Sequence, residues 1–140
     1  MSLLLDTNVI SEVRKKQRCH RAVARWWAGV DQDRIYLSAL VLGEIRCGIE
    51  QVRPRDLAQA QALERWLNAL ADGFRERILP VDHLVAEEWG RMNVLRTFPV
   101  IDGLFAATAK VYDLTLVTRD VDDLAGSGAL LLNPFASESS

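Results

Sequence analysis

Two short apolar runs in this 140-residue chain end abruptly in polar clusters. Leu3-Leu4-Leu5 runs into Asp6-Thr7-Asn8, and Leu116-Val117 runs into Thr118-Arg119-Asp120. Two further acids stand where helical spacing calls for apolar or small residues. Glu44 interrupts the stretch from Ala39 to Val52, and Asp102 follows Val100-Ile101 at the head of an alanine-rich segment. Four carboxylates brought into one cavity repel one another unless a cation neutralises them. Hard oxygen ligands with no His or Cys at ligand spacing select Mg²⁺, with Mn²⁺ as a substitute, over Zn²⁺. The chemistry such a site does best is phosphodiester hydrolysis, in which the cation polarises the phosphoryl group, activates water and steadies the leaving oxygen. Each acid also has an ordinary role open to it. Asp6 or Asp102 can cap a helix, although Thr7 and Asn8 can cap the first helix equally well. Glu44 can sit on a solvated helix face and Asp120 in a turn. Asp122 and Asp123 stand beside Asp120 and leave the choice of acid there open.

Asp6 and Asp120 share an edge only if the strands that carry them are neighbours in a parallel sheet, where sites form beyond the carboxyl ends of the strands. The rest of the chain supports such a sheet. Strands are expected at Leu3–Leu5, Ile35–Leu37, Ile78–Val81, Leu114–Thr118 and Ala129–Leu132, with the third peripheral because of Pro80. Between them lie helical patterns: a short one with Ile10 and Val13, Ala22 to Val30, Ala39 to Val52 capped by Ser38, and a long one from Asp56 that ends at Gly73. Two more follow, one capped by Asp82 and running through Leu95, the other from Ile101 to Tyr112. Strands alternating with helices argue a three-layer α/β domain, a central parallel sheet flanked by helices. Residues 1–135 read as a single domain and residues 136–140 as a frayed C-terminal tail.

Composition excludes several classes. Hydrophobic residues make up 49% and charged residues 26%, which rules out a disordered or collagen-like chain. Lys plus Arg is 17 against 19 Asp plus Glu, so the balance does not announce a nucleic-acid binder, though an acidic site can mask a basic rim. The basic run Arg14, Lys15, Lys16, Arg18 is a candidate phosphate rim or a solvated loop. Trp26, Trp27, Trp66 and Trp89 read as core or dimer contacts rather than base-stacking platforms. Cys19 and Cys47 stand alone, without a CxxC. No signal peptide or membrane span is visible, so a cytoplasmic protein with two reduced thiols and no membrane association is expected.

Motifs along the chain resemble a known family. Leu5-Asp6-Thr7-Asn8-Val9-Ile10-Ser11-Glu12 resembles the opening of PIN-domain toxins of the VapC type, including the FitB-like branch. The likeness continues through Leu37-Ser38-Ala39 to Gly43-Glu44-Ile45-Arg46, Ile78-Leu79-Pro80-Val81-Asp82, and Pro99-Val100-Ile101-Asp102-Gly103 with the alanines after it. It closes with Leu116-Val117-Thr118-Arg119-Asp120 and Leu132-Asn133-Pro134-Phe135. The resemblance spans nearly the whole chain; each motif is weak alone and the set is strong. It implies a PIN-like fold and a Mg²⁺-dependent endoribonuclease, the toxin of a toxin–antitoxin pair that cleaves RNA to arrest growth. A cognate VapB-type antitoxin and a homodimer are further implications. By position it makes Asp6, Glu44 and Asp102 the core metal-site acids. Asp120 falls on the fourth, more variable position; many relatives have Asn there and keep an acid three residues on, here Asp123, so either completes the site. Asn8 and Thr118 match polar residues that line the pocket. Cys47 departs from the pattern, since a second basic residue often follows Arg46. Two other readings compete. A haloacid-dehalogenase-like aspartyl-phosphate hydrolase also begins with an apolar strand ending in Asp, but needs a second Asp where this chain has Asn8. A non-catalytic module that keeps the fold would be signalled by loss of an acid, and none is lost.

Overall fold

The computed structural model describes residues 1–136. The expected fold is present, and its central strand is the first segment of the chain. β1 (Leu3–Leu5) is buried along its whole length, as a strand covered on both faces must be. Each of its leucines removes enough apolar surface from water to contribute roughly 1.5–3 kcal/mol. β1 pairs with β2 (Ile35–Ser38) on one side and with β4 (Thr115–Val117) on the other, all parallel, with Leu3 opposite Ile35 and Thr115. β3 (Ile78–Leu79) and β5 (Leu130–Leu132) complete the order β3-β2-β1-β4-β5. The sheet is parallel throughout.

Three strands are shorter than their apolar runs. β3 stops at Leu79 because Pro80 has no N–H for the ladder. Leu114 and Thr118 fall outside β4, and Ala129 outside β5. Thr118 nevertheless still donates its N–H to Leu132 O (2.9 Å).

The helices are α1 (Thr7–Arg14), α2 (Arg21–Ala28), α3 (Ala39–Val52), α4 (Leu57–Gly73), α5 (His83–Leu95) and α6 (Val100–Val111). Their starts follow local chemistry. Ser38, Asp56 and Asp82 each accept a backbone N–H at the head of α3, α4 and α5. The other oxygen of Asp82 accepts from the Tyr112 hydroxyl, tying the start of α5 to the end of α6. These two helices pack along their length, and the Lys110–Glu88 ion pair (2.7 Å) joins them. The core is made of Leu4, Leu5, Val9, Ile35, Leu37, Ile49, Met92, Phe105, Leu116 and their neighbours. All four tryptophans pack partly buried against it, and both cysteines are free. Among the described residues no helix is long and apolar enough to cross a membrane. Ala136 still donates to Asn133 O; the rest of the expected tail, residues 137–140, lies outside the described residues.

Candidate active site

β1 and β4 deliver Asp6 and Thr118 side by side at the carboxyl edge of the sheet. The Asp6 N–H donates to Val117 O (3.1 Å), continuing the ladder one residue past the strand. The Asp6 side chain is 3% exposed, and both its oxygens are engaged. Oδ1 accepts from the Val9 N–H (2.9 Å), so Asp6 itself caps α1, in place of Thr7 or Asn8. Oδ2 accepts from the Thr118 hydroxyl (2.6 Å). That hydroxyl oxygen in turn accepts from the Asp120 N–H (3.0 Å). Thr118 therefore couples the first acid to the loop that carries the fourth. Burial pushes the Asp6 carboxyl above its ordinary range; the hydrogen bonds from Thr118 and Val9 oppose this, and the charges of Asp120 and Glu44 add to it.

Glu44 stands on α3 facing the start of α1, where the Thr7 hydroxyl donates to its Oε1 (2.5 Å). Asp102 lies in the first turn of α6, but Pro99 occupies the cap position and the helix has no side-chain cap. The capping role open to Asp102 is thus excluded. Its carboxyl is pushed up to about 6, first by burial and then by the charges of Asp120, Asp6, Glu44 and Asp123. Among the described residues no Lys, Arg or His lies within ion-pair distance of Asp6, Glu44, Asp102 or Asp120. The structure thus brings the four acids into mutual electrostatic range without a balancing side chain. As they stand, no three His, Cys, Asp or Glu side chains among the described residues converge closely enough to enclose an ion. The donor set still fits a hard cation in kind: all oxygen, all anionic, with lone pairs left on each carboxylate.

The other expected residues fall in different places. Asn8 is exposed in the first turn of α1, and its side chain makes no hydrogen bond among the described residues. Asp123 is exposed and acts on Asp102 more weakly than Asp120 does. In the basic run, Lys15 pairs with Glu12 (3.1 Å) and Arg14 lies over the Trp66 ring (5.2 Å).

Sequence reasoning missed the residues that set the position of Asp102. Asn93 donates to Trp89 O (2.8 Å) and accepts from Phe98 N (3.2 Å), fixing the α5–α6 connection. Arg96 lies over the Phe98 ring (4.4 Å) and donates to the carbonyls of Asp123 (2.5 Å) and Ala125 (2.9 Å). It thereby ties the segment before Asp102 to the loop after Asp120. Nothing in spacing marks Arg96 or Asn93, because their partners are backbone atoms. Thr7 was read only as a helix cap; its place beside Asp6 was the available signal.

A parallel α/β sheet with an acidic cluster beyond its two middle strands defines the class, and comparison with known proteins places the chain within it. A model of the PIN domain matches residues 3–125, and the chain belongs to the PIN-domain family. It is 32% identical over 141 residues to Toxin FitB of Neisseria gonorrhoeae, covering 95% of this chain and 98% of that one. It is 30% identical over 141 residues to the VapC ribonuclease Y4jK of Sinorhizobium fredii, covering 95% and 97%. The crystal structure of FitAcB from Neisseria gonorrhoeae superposes with a TM-score of 0.87 at 30% identity, covering 96% of this chain and 99% of that chain.

Proposed function

We propose that the chain is a Mg²⁺-dependent endoribonuclease, the toxin of a toxin–antitoxin pair, which cleaves RNA phosphodiester bonds and is neutralised by a VapB-type antitoxin. The observation that carries this reading is the unbalanced cluster of Asp6, Glu44, Asp102 and Asp120, with Asp102 pushed up to about 6 first by burial and then by the charges of the other acids. A fold that merely needed these positions filled would pair or dilute such charges, since close carboxylates disfavour one another. Asp6, Glu44 and Asp102 would hold the cation, with Asp120 completing the set. The cation, when bound, supplies positive charge to the phosphoryl oxygens as negative charge develops there. Thr118 holds Asp6 and accepts from the Asp120 N–H, and Thr7 holds Glu44.

The partners follow the same reading. An apolar groove of about 300 Å³ runs from Thr7 and Glu44 between α1, α3 and α4 to Leu63 and Trp66, and it suits a helical antitoxin segment. The protein works as a homodimer. Relatives named a toxin and a VapC ribonuclease support the class of activity. The test is incubation of purified protein with structured RNA in Mg²⁺, in EDTA, and with an Asp6→Asn variant prepared in parallel. Cleavage that requires Mg²⁺ and is lost in the variant is expected. Cleavage that survives EDTA would overturn the metal-dependent reading.

A further inference from the structure

The acidic cluster raises a problem for a nuclease: four carboxylates repel the polyanion they are to cut. Cationic surface beside them is needed to hold the strand, because phosphate contacts supply most of nucleic-acid affinity. The expected basic run lies at the far end of α1 from Asp6: Lys15 is paired with Glu12 and Arg14 lies over Trp66, while Lys16 and Arg18 are exposed beyond the helix end. A different surface meets the need. β5 runs parallel to β4, with Val117 opposite Leu132, so Asn133-Pro134-Phe135 emerges at the same sheet edge as Thr118-Arg119-Asp120. There the Arg119 guanidinium lies over the Phe135 ring at 4.0 Å, and Phe135 meets His20 edge-on at 5.3 Å. Asn133 Oδ1 accepts from the Phe135 N–H (2.9 Å) and fixes this turn. Beside it is a pocket of about 230 Å³ lined by Arg25, Trp26, Leu132 and Pro134, among others. Among the described residues neither Arg25 nor Arg119 has a carboxylate within ion-pair distance.

We propose that the Arg119–Phe135 stack and the adjoining Arg25–Trp26 pocket form a subsite for single-stranded RNA next to the phosphodiester that is cut. It rests on the nuclease reading above. Stacking on Phe135 occupies the face of the Arg119 guanidinium and leaves its N–H edges for phosphate oxygens. The pocket has apolar walls and a cation at its rim, which suits one unpaired base with its phosphate outside. It is too small for more, being below the usual range of roughly 300–1,000 Å³ for larger ligands. A base held there engages an aromatic wall in the way sequence-tolerant single-strand binders do. A duplex presents its bases stacked and paired, so the subsite selects loops and unpaired ends.

The test measures fluorescence anisotropy of a labelled single-stranded oligonucleotide RNA in EDTA, on the Asp6→Asn background, across a salt series. Arg25→Ala with Arg119→Ala should weaken affinity about tenfold and lower the salt slope by about 1–2. Trp26→Phe keeps an aromatic wall but shortens it by one ring, and should weaken binding less. Arg75→Ala, in the turn leading into edge strand β3, serves as the control and should leave both quantities unchanged. Variants that bind like this control overturn the subsite and leave the nuclease reading intact. An unmutated subsite that binds no RNA overturns both. If the double variant keeps RNA affinity but no longer captures a co-expressed antitoxin, the face docks protein and the proposal is overturned.

Discussion

Before any cation arrives, both oxygens of Asp6 are in use, one on the Val9 N–H and one on the Thr118 hydroxyl. Capping and site membership are alternatives when read from sequence, because spacing cannot show that one carboxylate has room for both. The position of Asp6, Glu44, Asp102 and Asp120 was legible; which hydroxyls hold them was not, since Thr7 and Thr118 act through contacts 37 and 112 residues away in sequence. Asp6→Asn keeps a cap acceptor and removes one repelling charge. It should lower cleavage by on the order of a hundredfold or more with little change in melting temperature, read by parallel kinetics and calorimetry. Thr118→Val leaves Asp6 and the Asp120 N–H without their shared partner inside the protein, and should cost about 1–3 kcal/mol in a denaturant titration. Asp102 gives a pH signature. Its folded-state value of about 6 lies above the ordinary 3.8, so the folded protein binds the proton more tightly than the unfolded chain. The stability it contributes is full below the ordinary value and is lost as pH rises through about 6. In EDTA this contribution should therefore pull the melting temperature down between about pH 4 and pH 6, with Asp6 acting in the same direction. Asp102→Asn should flatten that fall; an unchanged slope would show that the proton sits elsewhere.

At the scale of elements, α3 runs from Ala39 to Val52 as read from spacing, because Ser38 supplies a clear cap and the apolar positions keep helical period. The strands were legible as apolar runs but not in extent, since Pro80 ends β3 before its apolar run ends, while at β4 the Thr118 N–H carries the ladder past the last apolar residue. The start of α6 was misread for a related reason. Asp102 has the chemistry of a cap, but the chain enters the helix at Pro99. Gly103, one residue on, allows α6 to approach α5 closely. A Cβ there would stand 3.3 Å from Trp89 Cδ1 and 3.4 Å from Phe98 Cβ. Alanine in place of glycine in a helix gains about 0.5–1 kcal/mol, and overpacking costs about 1–3 kcal/mol. Gly103→Ala should therefore be net destabilising by about 1 kcal/mol, with a larger proportional loss of activity because Asp102 shifts with the helix. A variant more stable than wild type would show that Trp89 yields freely.

At the scale of the molecule, the end of α5 and the start of α6 present Val94, Leu95 and Val100 to solvent, 85%, 73% and 59% exposed. A patch of this kind next to the acids is where a second copy would sit under the proposed homodimer. Val94→Asp with Leu95→Asp should give a monomer by light scattering while the far-ultraviolet spectrum is retained. A dimer of unchanged stability would locate the interface elsewhere.

The central strand is made well before its partner β4, because residues 3–5 pair with residues 115–117. Residues 3–5 must wait for residues 115–117 before the sheet can close, so the decisive pairing has the longest loop the chain offers. At about 5–20 residues per second, synthesis of the intervening chain takes on the order of ten seconds. During that time Asp6 has neither Thr118 nor Asp120 beside it. The acidic cluster is therefore assembled only after residue 120 has been made. Under the proposed nuclease activity, a nascent copy shorter than that carries no complete site with which to attack RNA in the machinery that is making it.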